Sequence, residues 1–323
     1  SAANRDDRGM DDRLTAVAGS RGGVFTSAMA AVVDVDDGAL ARGRRSQEVV
    51  RVRRDAYVLG ELWSAATPEQ RLMLRTRAVL AARPEDIASH QSALALHGLP
   101  LHGVDLVTVD VLSAVSRVRL ASGLRTHARP ADQPHVVADG YRCVDIATGI
   151  AQVLVRSGVG AAMVPLDAAL HAGQCTLGEM ALALDDRCSS RRLRARGDQL
   201  LSRADPQSES VGETRTRLML TDHGLAVRSQ VPICDASGTL VGRVDFLVGD
   251  HVIVEFDGAV KYEGAQGRSA LVAEKRREDA LRALGYVVVR VTWSDLASPT
   301  RVISQIRRAL AGLSTRDGHV FTP

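Results

Sequence analysis

The sequence predicts a multidomain protein of the α/β class, with an α+β organisation in which separate mixed sheets carry helices on their faces. Its length of 323 residues corresponds to two or three domains. The first 60 residues show three helical patterns and then a hairpin pattern, whereas the chain beyond residue 208 alternates helices with apolar strands. Charged residues make up 24% and hydrophobic residues 45% of the chain, which is ordinary for a globular protein.

The amino-terminal region, residues 10–60, has helical patterns at 11–18, 27–33 and 36–50, followed by a hairpin pattern at 51–59. This is the order of a winged helix-turn-helix domain, whose third helix enters the major groove while the hairpin follows the DNA backbone. Arginines crowd the third helix and the hairpin, which predicts that this face binds DNA. They are Arg42, Arg44, Arg45, Arg51, Arg53 and Arg54. The alternative is a solvated basic face on a small interaction domain.

This region and the middle of the chain resemble AbiEi-type antitoxins, which are transcriptional regulators. The similarity lies in GGVFT at residues 22–26 and in VRVRRDAYVL at residues 50–59. It continues in SHQSA at residues 89–93, HGLP at residues 97–100 and YRCVDIAT at residues 141–148. The resemblance therefore extends beyond the amino-terminal region and implies a second, AbiEi-like domain of mixed α/β structure.

That middle domain is expected over residues 61–204, with a helix, a short β stretch at residues 104–118 and then further helices. His90 and His97 lie seven residues apart on one helical face, but no acid or cysteine has a matching metal-ligand spacing. Both histidines are therefore expected to be structural. Six arginines between residues 187 and 203 form a basic stripe, which either follows a DNA backbone or is a solvated connector.

The last domain, expected over residues 205–315, has the order helix, strand, strand, strand, helix, strand, helix, which suits a mixed sheet with helices on both faces. Ser210 and Glu213 have capping-box spacing at the start of its first helix. Gly249 and Asp250 form a tight turn between its second and third strands. The expected bounds are helices at 208–220, 268–284 and 302–310 and strands at 225–233, 239–247, 251–257 and 286–293.

Three carboxylates lie on the second and third strands of this domain. Asp245 is on the second strand, and Glu255 and Asp257 are on the third, where they share a face with Ile253. Buried carboxylates are costly unless they are paired or bind a cation. Three converging acids suit a hard divalent ion such as Mg²⁺ or Mn²⁺. The alternative is that Asp245 caps a turn and the other two acids pair with neighbouring arginines.

The residues around these acids resemble small nuclease domains related to very short patch repair endonucleases, which have the PD-(D/E)XK fold. The resemblance implies a restriction-endonuclease-like mixed sheet flanked by helices, and a magnesium-dependent DNA endonuclease that hydrolyses phosphodiester bonds. The matching segments are GET at 212–214, Gln230, RVDF at 243–246, EFDG at 255–258, KRR at 275–277, Leu281, GY at 285–286 and VRVTW at 289–293.

The resemblance also implies a role for each matching acid. Asp245 and Glu255 hold the metal, and Asp257 and Glu213 complete or tune its surroundings, while the metal polarises the scissile phosphate and activates a water. Gln230 positions the water or the phosphate. The resemblance also implies that a basic segment of the helix expected at residues 268–284 contacts the DNA. Its residues are Lys275, Arg276 and Arg277.

One departure from the nuclease pattern concerns the residue two positions after Glu255. Asp257 stands where this class usually has a lysine, which orients the attacking water and stabilises the charge that develops on phosphate. Lys261 follows four residues later. It either returns a cation to the site and acts in catalysis, or binds DNA phosphate, or is solvated.

A second function stays open, in which the chain is an antitoxin-type transcriptional regulator whose nuclease-like domain is inactive and whose partner is a cognate toxin. The missing lysine favours it, whereas the clustered acids favour the nuclease. Double-stranded DNA is the expected partner in both, and a homodimer is a further expectation because winged helices and many restriction-type nucleases act as dimers. Four cysteines without CxxC pairing predict neither zinc nor disulfides, and no segment is apolar enough to span a bilayer, so a cytoplasmic location is expected.

Overall fold

The structure is a computed structural model that describes residues 6–258 and 264–314. The chain divides into two compact units, Ser1–Ala204 and Asp205–Pro323. Helices and strands alternate along the chain, and the strands form three separate sheets. The predicted α/β class, with α+β multidomain character, is therefore confirmed.

The first unit contains ten helices and nine strands among its described residues. The helices are α1 (Asp6–Gly19), α2 (Ser27–Val32), α3 (Asp37–Ser46), α4 (Gly60–Ala65), α5 (Pro68–Ala82), α6 (His90–Leu96), α7 (Ile146–Ser157), α8 (Val159–His171), α9 (Leu177–Arg187) and α10 (Arg191–Arg203). The strands are β1 (Val24–Phe25), β2 (Val49–Arg53), β3 (Ala56–Leu59), β4 (Ile87–Ala88), β5 (Val109–Ser113), β6 (Arg119–Ala121), β7 (Leu124–Ala128), β8 (Val136–Ala138) and β9 (Tyr141–Cys143).

The amino-terminal helices accompany a small sheet of order β1-β3-β2. Helix α3 begins where the Asp36 side chain accepts a hydrogen bond from the Ala39 N–H at 2.7 Å. It ends earlier than the predicted residue 50, because Gln47 adopts a left-handed conformation with φ 67°. Val49 is buried and opens β2, so the last residues assigned to the helix belong to the hairpin.

The middle of the first unit contains a six-stranded sheet of order β6-β7-β5-β4-β9-β8. The expected short β stretch at residues 104–118 covers only one of these strands, so that expectation was wrong in extent. The missed strands are only two to five residues long, and the edge strand β6 is exposed along its whole length. Strands this short carry too few alternating positions to stand out in a sequence.

The second unit contains one four-stranded sheet of order β10-β11-β12-β13, antiparallel up to β12 and parallel between β12 and β13. The predicted order of elements is confirmed, with one additional short helix, α13, after the last strand. The elements are α11 (Val211–Asp222), β10 (Val227–Cys234), β11 (Leu240–Val248), β12 (Val252–Phe256), α12 (Gly264–Ala283), β13 (Val287–Val291), α13 (Trp293–Ala297) and α14 (Thr300–Ser314).

The two faces of strand β12 pack into different cores, as the alternation of its side chains predicts. Val252 and Val254 belong to a cluster that includes Ile306 of α14. Ile253 belongs to a second cluster, with Leu281 of α12. Helices therefore cover both faces of the sheet, and Glu255, two residues after Ile253, lies on the side that α12 covers.

In the part of the chain that the structure describes, none of the helices combines the length and the apolar character needed to cross a membrane.

Candidate active site

Strands β11 and β12 part at the point where two of the predicted acids lie. Their backbone pairing runs from Val248 opposite Val252 to Phe246 opposite Val254. Beyond it, Asp245 Oδ2 accepts a hydrogen bond from the backbone N–H of Phe256 at 2.9 Å. A side-chain carboxylate therefore replaces the carbonyl that would continue the ladder, and Asp245 is fixed next to Glu255.

The environment of Asp245 disfavours a negative charge. Burial raises the pKa of this carboxyl group to about 6, against the opposing effect of the Phe256 N–H, and the neighbouring carboxylates of Glu213 and Glu255 raise it further. The charge of Arg277 acts in the lowering direction. Three acids thus share a region where their charges are incompletely compensated.

Glu213 and Gln230 lie behind this pair and are joined to each other. Glu213 is buried, and its Oε1 accepts from the Ser210 hydroxyl at 2.8 Å. Ser210 caps the helix by accepting from the Glu213 N–H at 3.1 Å, but the Glu213 carboxylate bonds the N–H of Glu209 instead of that of Ser210, so the predicted capping box forms only in part. Oε2 of Glu213 accepts from the Glu209 N–H and from Nε2 of Gln230, both at 2.9 Å. The carboxylate of Glu213 is therefore occupied within the protein and influences Asp245 through its charge.

Gln230 interrupts strand β10 with a φ of 52°, a conformation that side chains other than glycine rarely adopt. Its neighbours Ser229 and Val231 pair with Phe246 and Val244, so Gln230 lies opposite Asp245. Backbone strain of this kind is retained where the surroundings fix it, often at functional sites. The strain directs the Gln230 amide to Glu213.

Helix α11 approaches strand β12 closely through a glycine. A Cβ atom at Gly212 would lie 2.0 Å from the ring of Phe256. The same ring packs edge-on against Trp293, with the ring centroids 4.9 Å apart. This contact explains the glycine of the GET segment and brings Glu213 close to the strand that bears Glu255.

Glu255 faces helix α12 and pairs with an arginine. Its Oε1 accepts from NH2 of Arg277 at 2.9 Å, and the Glu255 side chain is only 12% exposed. NH1 of Arg277 donates to the carbonyl of Arg243 at 3.2 Å. A guanidinium group from the helix is thus the ion-pair partner of Glu255.

Asp257 is directed to a different arginine. Its Oδ2 lies 3.9 Å from NH1 of Arg290, whose NH2 contacts Glu274 at 2.6 Å and Glu278 at 3.0 Å. Although burial acts in the opposite direction, the carboxylates of Glu274 and Glu278 raise the pKa of Arg290. Among the described residues, Asp245, Glu255 and Asp257 do not form a group whose ligand atoms all lie within 4.8 Å of one another.

An open cleft of about 1030 Å³ contains these acids and part of the predicted DNA-binding segment. Its lining includes Asp245, Glu255 and Asp257, together with Lys275 and Arg277 of α12. Arg276 is exposed and is not part of that lining. The predicted residue Lys261 lies outside the residues that the structure describes.

A second polar cluster, which the sequence did not predict, lies in the first unit. His90, Asp110 and His127 bring their ligand atoms within 4.8 Å of one another. His97 is not part of it, since its Nε2 lies 2.9 Å from the carbonyl of Val144, in the structural role expected for it. The partners of His90 come from strands β5 and β7, so no local spacing could have indicated them.

The carboxylate of Asp110 is fully buried and already saturated with donors. Oδ1 lies 2.6 Å from Nε2 of His127 and accepts from NH1 of Arg156 at 2.8 Å. Oδ2 accepts from Nε2 of Gln91 at 2.7 Å, and NH1 of Arg125 lies 3.3 Å away. Although burial opposes it, the His127 hydrogen bond and the neighbouring cations lower the pKa of Asp110.

Two features of this cluster disfavour a metal ion. Two guanidinium groups, from Arg125 and Arg156, already neutralise the only carboxylate. The rings of His90 and His127 are stacked, with centroids 4.4 Å apart, whereas two imidazoles that share an ion direct in-plane lone pairs towards it. We therefore interpret the cluster as a structural network that joins α6, β5, β7 and α7.

The predicted DNA-binding arginines of the amino-terminal region fall into three groups. Arg44, Arg51 and Arg54 line one groove between α3 and the hairpin. Arg53 lies apart from that groove, because its NH1 donates to the carbonyls of Ala121 and Ser122 at 2.7 and 2.9 Å. The two remaining residues of the predicted set are exposed on α3. They are Arg42 and Arg45.

No family model matches the chain. Two proteins of Mycobacterium tuberculosis, one from the CDC 1551 / Oshkosh strain and one from the ATCC 25618 strain, are similar to it, and both are named as uncharacterized. Each is 28% identical over 229 residues, which cover 69% of this chain and 81% of the relative. The geometry of the site is therefore the basis for an argument about function.

Proposed function

We propose that this chain is a DNA-binding endonuclease that hydrolyses phosphodiester bonds with a divalent metal ion, Mg²⁺ or Mn²⁺. The observation that supports it most directly is the placement of Asp245 and Glu255 where β11 and β12 part, at the wall of an open cleft. The pKa of Asp245 is raised to about 6, chiefly by burial and in addition by the nearby carboxylates of Glu213 and Glu255. Carboxyl groups with a shifted pKa that lie in a cleft are frequent at catalytic sites.

The donor set fits a hard cation. Asp245 uses Oδ2 to accept from the Phe256 N–H, and Glu255 uses Oε1 to accept from Arg277. Each carboxylate has a second oxygen in addition to these. Oxygen donors from carboxylates, with water in the remaining positions, are the ligands that Mg²⁺ prefers in proteins.

A divalent ion bound there would supply Lewis acidity towards the phosphate and a more acidic water. The chain's own residues would hold and orient the reacting groups. Asp245 and Glu255 would bind the ion, and the Phe256 N–H would keep Asp245 in position. Gln230, held by its hydrogen bond to Glu213, would orient the reacting groups on the side of the site where Asp245 lies. Lys275, on the cleft wall, would contact the DNA phosphates.

The amino-terminal region would bind double-stranded DNA, the substrate on which the second unit acts. Helix α3 and the β2–β3 hairpin have the order of a winged helix, and Arg44, Arg51 and Arg54 line the groove between them. Such a groove supplies cations that can follow a phosphate backbone. In this proposal, a homodimer would present two such surfaces to one duplex.

A second candidate function is an antitoxin-type regulator whose nuclease-like unit is inactive. The observation in its favour is that Asp257 replaces the usual lysine and lies near Arg290. Such a protein would bind DNA without cleaving it and would pair with a cognate toxin. Its DNA binding would be independent of divalent ions and of Asp245.

Cleavage of supercoiled plasmid separates the two candidates. The full chain is incubated with Mg²⁺ or Mn²⁺ or with EDTA, beside Glu255→Gln, Asp245→Asn and the matched control Asp250→Asn, whose carboxylate lies in the turn between β11 and β12 and is 87% exposed. The nuclease proposal expects nicking by the wild type and the control, and none with EDTA or with the two site variants. Equal nicking by all variants would contradict the proposed site. If no protein nicks plasmid but all shift DNA in a gel, the regulator is supported, and co-purification of a partner chain would support a toxin antagonist.

A further inference from the structure

The side chain of Arg277 passes over Gly242 of β11 to reach Glu255, and the absence of a side chain at Gly242 leaves room for it. A Cβ atom at Gly242 would lie 3.0 Å from Cδ of Arg277 and 3.5 Å from its Cγ. Gly242 has no positive φ, so the reason for a glycine there is space rather than backbone conformation. The aliphatic part of Arg277 therefore crosses the strand, and its guanidinium group lies beside the acids.

Two hydrogen bonds to described residues hold the guanidinium group of Arg277. It donates to Glu255 Oε1 and to the carbonyl of Arg243, and its side chain is 31% exposed on the cleft wall. An arginine has five N–H donors, so these two bonds leave capacity for another acceptor. A planar group of this kind binds phosphate oxygens in a bidentate manner.

Arg290 provides a contrast within the same cleft. It contacts Glu274 and Glu278 and lies near Asp257, so three carboxylates surround it. Among the residues that the structure describes, Arg277 forms an ion pair with a single carboxylate, and that carboxylate is one of the two proposed metal ligands. Of these two arginines, Arg277 is thus the one that can leave its partner without leaving several carboxylates uncompensated.

We propose that Arg277 is a displaceable counterion of Glu255, which competes with the divalent ion for this carboxylate and, once displaced, binds the phosphate of the DNA. This inference rests on the proposed metal-dependent nuclease. A guanidinium group and a divalent cation repel each other, so the ion binds Glu255 most tightly after Arg277 has turned away. The freed arginine then supplies the positive charge that Asp257, in the place of the usual lysine, does not.

This arrangement makes metal binding and DNA binding mutually supportive. A phosphate in the cleft offers Arg277 an alternative partner and so lowers the competition at Glu255. An ion at Glu255 conversely releases Arg277 for phosphate. Coupling of this kind is reciprocal, so DNA increases metal affinity by the same factor by which metal increases DNA affinity.

The test is Mn²⁺ binding to the full-length protein without DNA, measured by calorimetry and by electron paramagnetic resonance. Arg277→Gln removes the competing charge and is expected to lower the Kd for Mn²⁺ roughly twofold to fivefold, the range expected for a partly exposed ion pair. The matched control is Arg282→Gln, which removes a cleft arginine that forms an ion pair with Glu278 rather than with a proposed metal ligand. Its Kd is expected to stay that of the wild type. Circular dichroism and the Tm establish that each variant is folded.

The outcomes separate this inference from the function on which it rests. Tighter Mn²⁺ binding by Arg277→Gln, with slower plasmid cleavage, supports the exchange. Unchanged or weaker Mn²⁺ binding by Arg277→Gln, while Glu255→Gln loses binding, overturns the exchange and leaves the metal site in place. Binding by Glu255→Gln equal to that of the wild type overturns both. Arg277→Lys provides a second variant, and with its charge retained it should keep the wild-type Kd.

Discussion

The backbone N–H of Phe256 donates to Oδ2 of Asp245 at 2.9 Å, and this bond closes the end of the pairing between β11 and β12. The carboxylate of Asp245 thus both ends the pairing of the two strands and lines the cleft. Because the bond fixes Asp245 where burial and other acids disfavour its charge, the site is preformed at a cost in stability. Several consequences of this geometry can be measured.

Asp245→Asn should stabilise the second unit at neutral and higher pH. The pKa of Asp245 in the folded state, about 6, exceeds the ordinary value of 3.8. At pH values between these two, the native state therefore binds more protons than the unfolded state. Stability is therefore lost as pH rises from about 4 through 6, by up to about 3 kcal/mol. An asparagine lacks that titration while its amide oxygen can still accept from Phe256. Urea unfolding followed by Trp293 fluorescence, in a Trp63→Phe background, should show the gain at pH 8 and little gain at pH 4; equal gains at both would contradict this account.

The same pKa predicts how metal binding depends on pH. A proton and a divalent ion compete for the Asp245 carboxylate, so Mn²⁺ affinity should be constant well above pH 6 and should fall about tenfold per unit below it. The measurement is the Kd for Mn²⁺ between pH 5 and 8. An affinity that does not change across that range would show that Asp245 does not bind the ion.

Gly212→Ala should destabilise the second unit severely. The added Cβ would lie 2.0 Å from the Phe256 ring, which is itself packed against Trp293. Overpacking of this kind costs about 1–3 kcal/mol and more where the neighbours cannot move. Gly312→Ala is the matched control, since no heavy atom lies within 4 Å of that added Cβ. Thermal unfolding should show a lower Tm for the first variant only, and similar Tm values for both would refute the close approach.

Substitutions at Arg51 and Arg53 should have different consequences. Arg51 lines the groove beside α3, whereas Arg53 donates to the carbonyls of Ala121 and Ser122. Arg51→Ala should weaken DNA binding and reduce the slope of log K against log salt by about 1. Arg53→Ala should lower the stability of the first unit and leave the salt slope unchanged. Fluorescence anisotropy with a labelled duplex at several salt concentrations distinguishes these outcomes.

Acid should destabilise the first unit through His90. Burial lowers the pKa of His90 to about 3; Asp110 opposes this shift, and the charges of Arg156 and Arg125 add to it. A folded pKa below the ordinary 6.5 means that stability present above pH 6.5 is lost as pH falls towards 3. In a Trp293→Phe background, Trp63 fluorescence should report a falling urea midpoint between pH 7 and 5. His90→Gln should flatten that dependence, and an equally steep loss in the variant would assign it to other groups.

The expected elements of the second unit agree closely with the structure because their signals are local. Ser210 and Glu213 mark the start of α11, and the turn at Gly249 and Asp250 joins β11 to β12. In the first unit, the strands beyond residue 118 were missed. These strands are only three to five residues long, so they carry too few alternating positions to leave a clear local pattern.

The sequence by itself determined the α/β class, the order of elements in the second unit and the positions of Asp245 and Glu255 on adjacent strands. Only the tertiary structure decided which charges meet: Arg277 with Glu255, and Arg290 with Asp257. The His90, Asp110 and His127 cluster is likewise a product of the fold. The physical reason is the sequence separation over which each interaction acts. Hydrogen-bonded turns and side-chain alternation depend on near neighbours in the sequence. Ion pairs form between whichever residues the packing of helices on sheets brings within a few ångströms.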